Sequence, residues 1–557
     1  MQKTKRPKKG LFILIGILVF FVLGFVALHL SFVLYFDKKI KSDLQKEFFA
    51  QTGGTYELQI ETLRTDLFVQ SVFLSGFRIF PVKGVRPLTS KFFISATKIN
   101  LEDFNLYSFL TQKDLRFYKL ELTNPKVLVF RNNVDAKMED TSVHVAKFSI
   151  YQLIKKHVSA LSVSRIKVSN AEIRIYADDK DSLLLLKSKD NQLLISDLRI
   201  DAEAERLGRL FLAEKTDLVI HKFSYTTKDS LYTVKVSRLF ASYTDSTVFM
   251  DSVMLNPNYS KTTFAEHAGQ QTDRIKLFAM KIEFNRMDVK QFFEKNWFIA
   301  KELKISGFNL EAYRDKNDFR KSHQPLSIQA LINHIPVYVK LDSICVIDAH
   351  CRYEELAVDG AEPGKIFFHH VDAVMTGLSN RHENMLSQGY LLVNASCKLM
   401  NKGQLHVRYR FPYNTDNMVF DCSGQLYGMP FTELNKVLEP IAKVSAVQGE
   451  IDSMVFSFHA GEIASDGWMR LIYHDLRVQI LKARGGKPIA VEHFLSFLAH
   501  SFIIKENNPT RNQPVRMAKI HYVRDTDRFI FNYSLKSLLS GIKSAIGLPE
   551  RNKKKGT

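Results

Sequence analysis

Residues 11–36, LFILIGILVFFVLGFVALHLSFVLYF, carry no formal charge. Such a run is apolar on every helical face and long enough to cross a bilayer with some tilt. A secretory leader, by contrast, has an apolar stretch of only about 7–15 residues. The run ends in Tyr35-Phe36-Asp37-Lys38-Lys39, with no small-residue cleavage pattern, so a retained transmembrane anchor is expected. Lys3, Lys5, Arg6, Lys8 and Lys9 precede it. Positive flanks stay on the cytoplasmic side, which makes residues 1–10 a cytoplasmic tail. No second run of comparable length follows, so the body from residue 37 onward is expected outside the inner (plasma) membrane. His29, inside the run, reads as an interfacial, hydrogen-bonded passenger rather than a functional ionisable group.

Of the formal charge of +20, nine charges stand at the two ends: the five of the N-terminal cluster, and Arg551, Lys553, Lys554 and Lys555. The remaining bias is thin, whereas a nucleic-acid binder concentrates its charge on one face or stripe. No nucleic-acid partner is expected. The chain uses 43 Phe and only 2 Trp, so its fold consumes large side chains without polar atoms.

After a helix over residues 37–51, closed by Thr52-Gly53-Gly54, the body alternates with period two, as in Tyr56-Glu-Leu-Gln-Ile60 and His406-Val-Arg-Tyr-Arg-Phe411. That is the pattern of half-buried strands. Helical spacing is confined to residues 148–161, 288–303, 431–447, 491–502 and 533–548. A loose repeat runs through the strands. Leu120 and Leu122 precede Asn124 by four and two positions, and Val127 and Val129 follow it by three and five. The same offsets give Ile166, Val168, Ile173 and Ile175 around Asn170, and Leu303, Ile305 and Leu310 around Gly307. Asp348 and Gly76 anchor similar units, and Asp245 a poorer one. The apolar phase slips by one residue at each anchor. A two-residue hairpin turn would produce this, and Gly76-Phe77 and Gly307-Phe308 suit one. Asn124-Pro125 does not, since proline cannot take positive φ, and a β-bulge is the alternative there.

Catalytic signatures are missing: there is no G-x-x-x-x-G-K-[ST], G-x-S-x-G, H-E-x-x-H or EF-hand loop. No catalytic residue, enzymatic activity or cofactor is expected. Cys351 with His350, His369 and His370 lacks metal-ligand spacing, so no metal is expected either. Cys345 and Cys351 cannot pair along one extended strand. Cys397 could reach Cys422, with unpaired buried thiols at least as well supported.

Two stretches carry a family resemblance: LQKEFFAQTGGTYELQIETLRTDLFVQSVFLSGFRI behind the anchor, and FDCSGQLYGMPFTELNKVLEPIAKVSAVQGEIDSMVFSFHAGEIASDGWMRLIYHDLRV near the C-terminus. In the second, Gly424, Gly449 and Gly467 punctuate strands around a helix. With the strand repeats between them, the chain resembles the AsmA-like family of inner-membrane-anchored envelope proteins of Gram-negative bacteria, related to bridge-like lipid-transfer proteins. The resemblance implies a mostly β fold, with one N-terminal transmembrane helix and then a long, twisted antiparallel sheet curled into an apolar groove. A few short helices would lie at the ends and between repeats. The domains would be the span (11–36), a periplasmic groove (37–480) and a C-terminal region (481–557) with amphipathic helices and a basic tail. The implied function is conduction of phospholipid or a similar lipid between envelope membranes. The alternative is a scaffold for outer-membrane protein or lipopolysaccharide assembly, with envelope proteins as partners.

The lipid-groove candidates are Leu120, Leu122, Val127, Val129, Ile166, Val168, Ile173, Ile175, Leu303, Ile305 and Leu310, because they share the repeat offsets. At the far end, Leu535, Leu538, Leu539, Ile542 and Ile546 make an apolar stripe followed by Lys553, Lys554 and Lys555. A basic amphipathic element of this kind lies on an anionic membrane surface or, equally, caps the last strand of a sheet.

Overall fold

The computed structural model describes residues 9–31, 34–35, 37–82, 90–131, 149–177, 184–207, 212–295, 297–317, 325–358, 360–381, 389–413, 415–442, 444–481 and 504–547. The chain is mostly β, with 21 strands in mixed sheet. It divides into two compact units, residues 1–225 with 238–244, and residues 226–237 with 245–557.

In the first unit, α1 (Lys9–Ser31) takes up most of the apolar run, with side chains described from Val19 onward. Among the described residues, no helix is long and apolar enough to cross a membrane. α2 (Asp37–Gln51) ends at Gly53 and Gly54, both left-handed. Its start is tied down: the buried Asp37 carboxylate accepts the Thr65 N–H at 2.9 Å and the Thr65 hydroxyl at 2.7 Å. His29 accepts the Leu67 N–H on Nδ1 at 3.3 Å, in keeping with a hydrogen-bonded passenger. The strands are β1 (Tyr56–Gln59), β2 (Thr62–Asp66), β3 (Ser71–Pro81), β4 (Ser90–Glu102), β5 (Asp114–Thr123), β6 (Lys126–Arg131), β7 (Ala160–Tyr176), β8 (Leu184–Ile200) and β9 (Lys215–Thr226). Short helices α3 (Leu106–Gln112), α4 (Ile150–Ile154) and α5 (Ala202–Arg206) interrupt them. β10 (Tyr232–Ser242) is divided between the units.

The second unit holds β11 (Thr247–Pro257), β12 (Arg274–Met287), β13 (Phe298–Asp315), β14 (Val339–Leu356), β15 (Gly364–Ser379), β16 (Tyr390–Leu399), β17 (Gly403–Pro412), β18 (Phe420–Pro430), β19 (Val444–Ala460), β20 (Ala464–Ile480) and β21 (Met517–Val523). Its helices are α6 (Phe264–Ala268), α7 (Val289–Lys295), α8 (Ile328–Asn333), α9 (Asn435–Ala442) and α10 (Ile530–Ala545).

The pairing corrects the expectation of an all-antiparallel sheet. β7 runs parallel to β5 and β6, and β14 parallel to β13. Parallel neighbours require a crossover connection, and the link from β13 to β14 contains α8. Three expected helices are also shorter than their apolar spacing suggested. Residues 148–161 yield only α4 before β7 begins, and residues 288–303 yield α7 before β13 begins at Phe298. Residues 431–447 divide into a 3₁₀ turn (Phe431–Leu434), α9 and the start of β19. In each, the C-terminal part is paired by a neighbouring strand, and tertiary pairing overrides weak helical spacing. The 491–502 helix and Lys553–Lys555 lie outside the described residues.

The repeat anchors are strand bulges rather than hairpins. Gly76, Asn124, Asn170, Gly307 and Asp348 all have φ between +51° and +60°, and the chain runs on through each in the same direction. The parallel register pairs Leu122 with Val168 and Val127 with Ile173, which sets Asn124 beside Asn170. Ile305 with Val346 and Leu310 with Cys351 likewise set Gly307 beside Asp348. Asp245, by contrast, falls in the turn between β10 and β11. Further left-handed residues extend the line in each unit: Asp190 and Lys222 in β8 and β9 of the first, and Ser252 in β11 and His370 in β15 of the second. Each extra residue bends its strand and raises the local twist, so a seam of them curls the sheet. At Gly307 the Cβ of any other residue would lie 2.9 Å from Met280 Cβ, with φ at +60°. Gly307→Val should therefore lose at least roughly 1–2 kcal/mol from the backbone alone. Asn309→Val on the same strand should change stability little, and paired urea melts of the two variants check the difference.

Candidate functional site

Apolar residues stand in register across the strands as ladders. In the first unit one ladder runs Leu74, Ile99, Leu122, Val168, Leu193, Leu218 from β3 to β9. Beside it runs Val72, Leu101, Leu120, Ile166, Ile195. Across the seam come Ile79, Ile94, Val127, Ile173 and then Phe92, Val129, Ile175, Leu186, Tyr225. The phase slip keeps these on one face: Leu74, Phe77 and Ile79 straddle Gly76 yet pack into one cluster with Leu58 and Ile60. All eight groove candidates of this unit lie on the ladders. The opposite face carries rows such as Glu102–Lys119–Arg165, with Lys119 3.4 Å from Glu102 and 3.0 Å from Glu121.

The second unit repeats the plan over more strands. One ladder starts at Met250 on β11 and passes through Ile282, Ile305, Val346, Ala373, Ala395 and Val407 to Gly424, Phe456, Met469 and Ala518 on β21. At about 4.8 Å per strand it is about 48 Å long. Leu303 belongs to the parallel ladder from Val248 to Ile520, and Leu310 to a shorter one from Leu255 to Gly403. A row on the opposite face includes Glu283, Lys304, Asn394, Arg408, Ser423 and Lys519.

Cover over the apolar face is uneven. At the β17–β21 end it is complete, where Phe420, Phe456, Met469, Ile520 and Tyr533 are buried in one cluster. α10 supplies that cover. Its Tyr533 hydroxyl donates to Gly461 O at 2.9 Å, the Ser537 and Ser465 hydroxyls meet at 2.7 Å, and Gly541 sits directly over Ile520 and Met469. Leu535, Leu538, Ile542 and Ile546 pack on the same cluster, and Leu539 is half-buried. The stripe read as a membrane surface thus faces the sheet.

α9 shows how far the sheet curls. Ile441 presses on Gly364 of β15, where a Cβ would come within 2.6 Å, while the Asn435 side chain hydrogen-bonds both N and O of Ala446 on β19. Four strand steps would separate β15 from β19 by roughly 19 Å on a flat sheet, about twice a helix diameter. The sheet wraps around α9.

Elsewhere the cover is partial. Leu122, Val127, Ile173, Ile175, Ile305 and Leu310 are half-buried by their strand neighbours and belong to none of the buried clusters found among the described residues. Leu120, Val168 and Leu303 lie at the margins of clusters, and Ile166 and Val129 are buried.

Two features of the second unit were hidden in the sequence. At the ends of β13 and β14, Glu354, Glu355 and Arg314 are buried. Glu355 pairs with Lys316 and accepts the Tyr353 hydroxyl at 3.0 Å, and Arg314 lies 3.2 Å from Asp273. Burial pushes the Glu355 carboxyl up, but Lys316 and then Lys536 of α10 outweigh it and hold the group below the usual carboxylate range. The second is a depression of about 900 Å³ on the polar face, lined by Ile347, Val374, Arg408, Val455 and Trp468 among others. Neither could be seen from spacing, since residues far apart in the chain form both.

All four cysteines are free. Burial raises the Cys351 thiol to about 11 and the Cys397 and Cys422 thiols to about 12, which keeps them protonated and unreactive.

No family model matches the chain, and no curated protein matches it.

Proposed function

We propose that this protein is an inner-membrane-anchored lipid carrier, its body in the periplasm and its apolar sheet face holding and conducting acyl chains. The observation that carries this reading is the uncovered part of the ladders in each unit, Val127, Ile173 and Ile175 in the first and Ile305 and Leu310 in the second, which lie outside the buried clusters found among the described residues. Apolar surface of that kind calls for an occupant. Acyl chains suit it, gaining about 0.8 kcal/mol per buried CH₂ and needing no directional partner. The resemblance to AsmA-like proteins points the same way.

The base of the first unit supports the membrane end of the reading. Phe25 of α1 meets Phe68 edge-on at 5.1 Å, so the anchor helix abuts the β2–β3 turn. Around that contact Phe68, Val69, Tyr107 and Leu110 are exposed, an apolar collar where a bilayer interface would lie next to a span. Native mass spectrometry of the full chain released from detergent tests the proposal. Adducts of diacyl-lipid mass are expected, and a spectrum showing only bare protein and detergent overturns it.

A further inference from the structure

The bulge seam crosses β14 and β15 at Asp348 and His370, which have φ of +51° and +50°. The β14–β15 register shifts there, between Val346 and Ala349 and again before Cys351. The seam thus turns out side chains that regular alternation would keep apart. His350 and His370 approach with ring centroids 5.2 Å apart, and His350 and His369 at 5.4 Å. Asp348 Oδ1 lies 2.8 Å from His370 Nδ1, and the Asp348 N–H donates to Asp372 Oδ1 at 3.0 Å, which fixes the bulge. One ligand atom from each of Asp348, His350 and His370 falls within 4.8 Å of the other two. Elsewhere along the seam the left-handed residues are mainly Gly, Asn, Lys and Ser, which offer no such set.

We infer that Asp348, His350 and His370 form a binding site for a first-row divalent transition metal, with Zn²⁺ the best fit. Two imidazoles and one carboxylate are borderline-soft donors that suit Zn²⁺ rather than Ca²⁺ or Mg²⁺, which need six or more oxygen ligands. Zn–N and Zn–O bonds of about 2.0–2.1 Å place tetrahedral ligand atoms roughly 3.3 Å apart. Small rotations of half-exposed side chains close the remaining gap. Water completes the coordination, and the ion displaces the Asp348–His370 hydrogen bond. The ion would staple β14 to β15 where their regular hydrogen bonding lapses. This site is independent of the lipid reading, because its donors stand on a bulge line and not on the apolar ladders.

The test is calorimetric titration of the tag-free full-length protein in detergent with ZnCl₂ at neutral pH. One Zn²⁺ per chain is expected. His350→Gln with His370→Gln should weaken binding more than about tenfold, and Asp348→Asn should do so to a lesser degree. Thermal melts without metal confirm that the variants fold, and added Zn²⁺ should raise the melting temperature of the wild type alone. Absence of wild-type binding, or equal binding by the double histidine variant, overturns the site.

Discussion

Aspartates at Val127, Ile173, Ile305 and Leu310 together abolish co-purifying lipid while the protein still folds. These four positions lie on the ladders but outside the buried clusters, so a charge there stays partly hydrated and costs the apo protein little. Acyl chains laid over these positions in each unit would bury the carboxylates without partners. That penalty runs to several kcal/mol per group, and each 1.4 kcal/mol is a factor of ten in affinity. Bound lipid should fall below detection by native mass spectrometry or thin-layer analysis of extracts. Aspartates at Thr97 and Lys304, strand positions off the ladders, should leave it unchanged. Retained lipid in the fourfold variant, with a normal melting curve, would remove the groove as the binding surface.

The second large effect concerns the charged cluster that faces α10. Glu355→Ala leaves Lys316 and Lys536 without their buried carboxylate, and breaking one side of a buried pair costs about 3–5 kcal/mol. Because α10 covers the β17–β21 ladders, the loss should appear first as protease cutting near Lys536 and Lys543. The pH dependence has a definite sign. Glu355 titrates below its ordinary range in the folded protein, so its contribution is present at neutral pH. It is lost as the pH falls below about 4.5 and through the lower folded value. Asp273 is raised by burial despite Arg314 and has the opposite slope; Glu355 is one of the charges that raises it, so the difference between wild type and Glu355→Gln reports the two carboxylates together. Urea midpoints measured from neutral to acid pH should show the two proteins converging as acidity rises. A constant gap would assign the cluster a packing role only.

Much of this architecture was legible in one dimension. Alternation at Tyr56–Gln59 or Gly403–Pro412 marks strands because side chains project to opposite faces with a period of two. The residues at the apolar offsets around Asn124, Asn170 and Gly307 stand on ladders. A one-residue phase slip is the signature of an inserted residue, whether in a turn or in a bulge. Distinguishing the two requires the partner strand: β7 continues alongside β5 and β6 past Asn124, which a hairpin would forbid. The parallel pairings were invisible for the same reason, since nothing within β13 records the direction of β14.

The sequence by itself determined the apolar N-terminal run, the β character and the phase slip at the anchors, because each follows from local composition and side-chain periodicity. Tertiary structure alone decided which parts of the apolar ladders are covered. The stripe of α10 is equally suited to a membrane or to a sheet, and only the presence of Ile520, Met469 and Phe420 at matching positions makes the sheet its partner. The buried cluster around Glu355 and the imidazoles beside Asp348 arose in the same way. Strand register brings together charges and ring nitrogens whose chemistry depends on distance in space, and separation along the chain carries no measure of that distance.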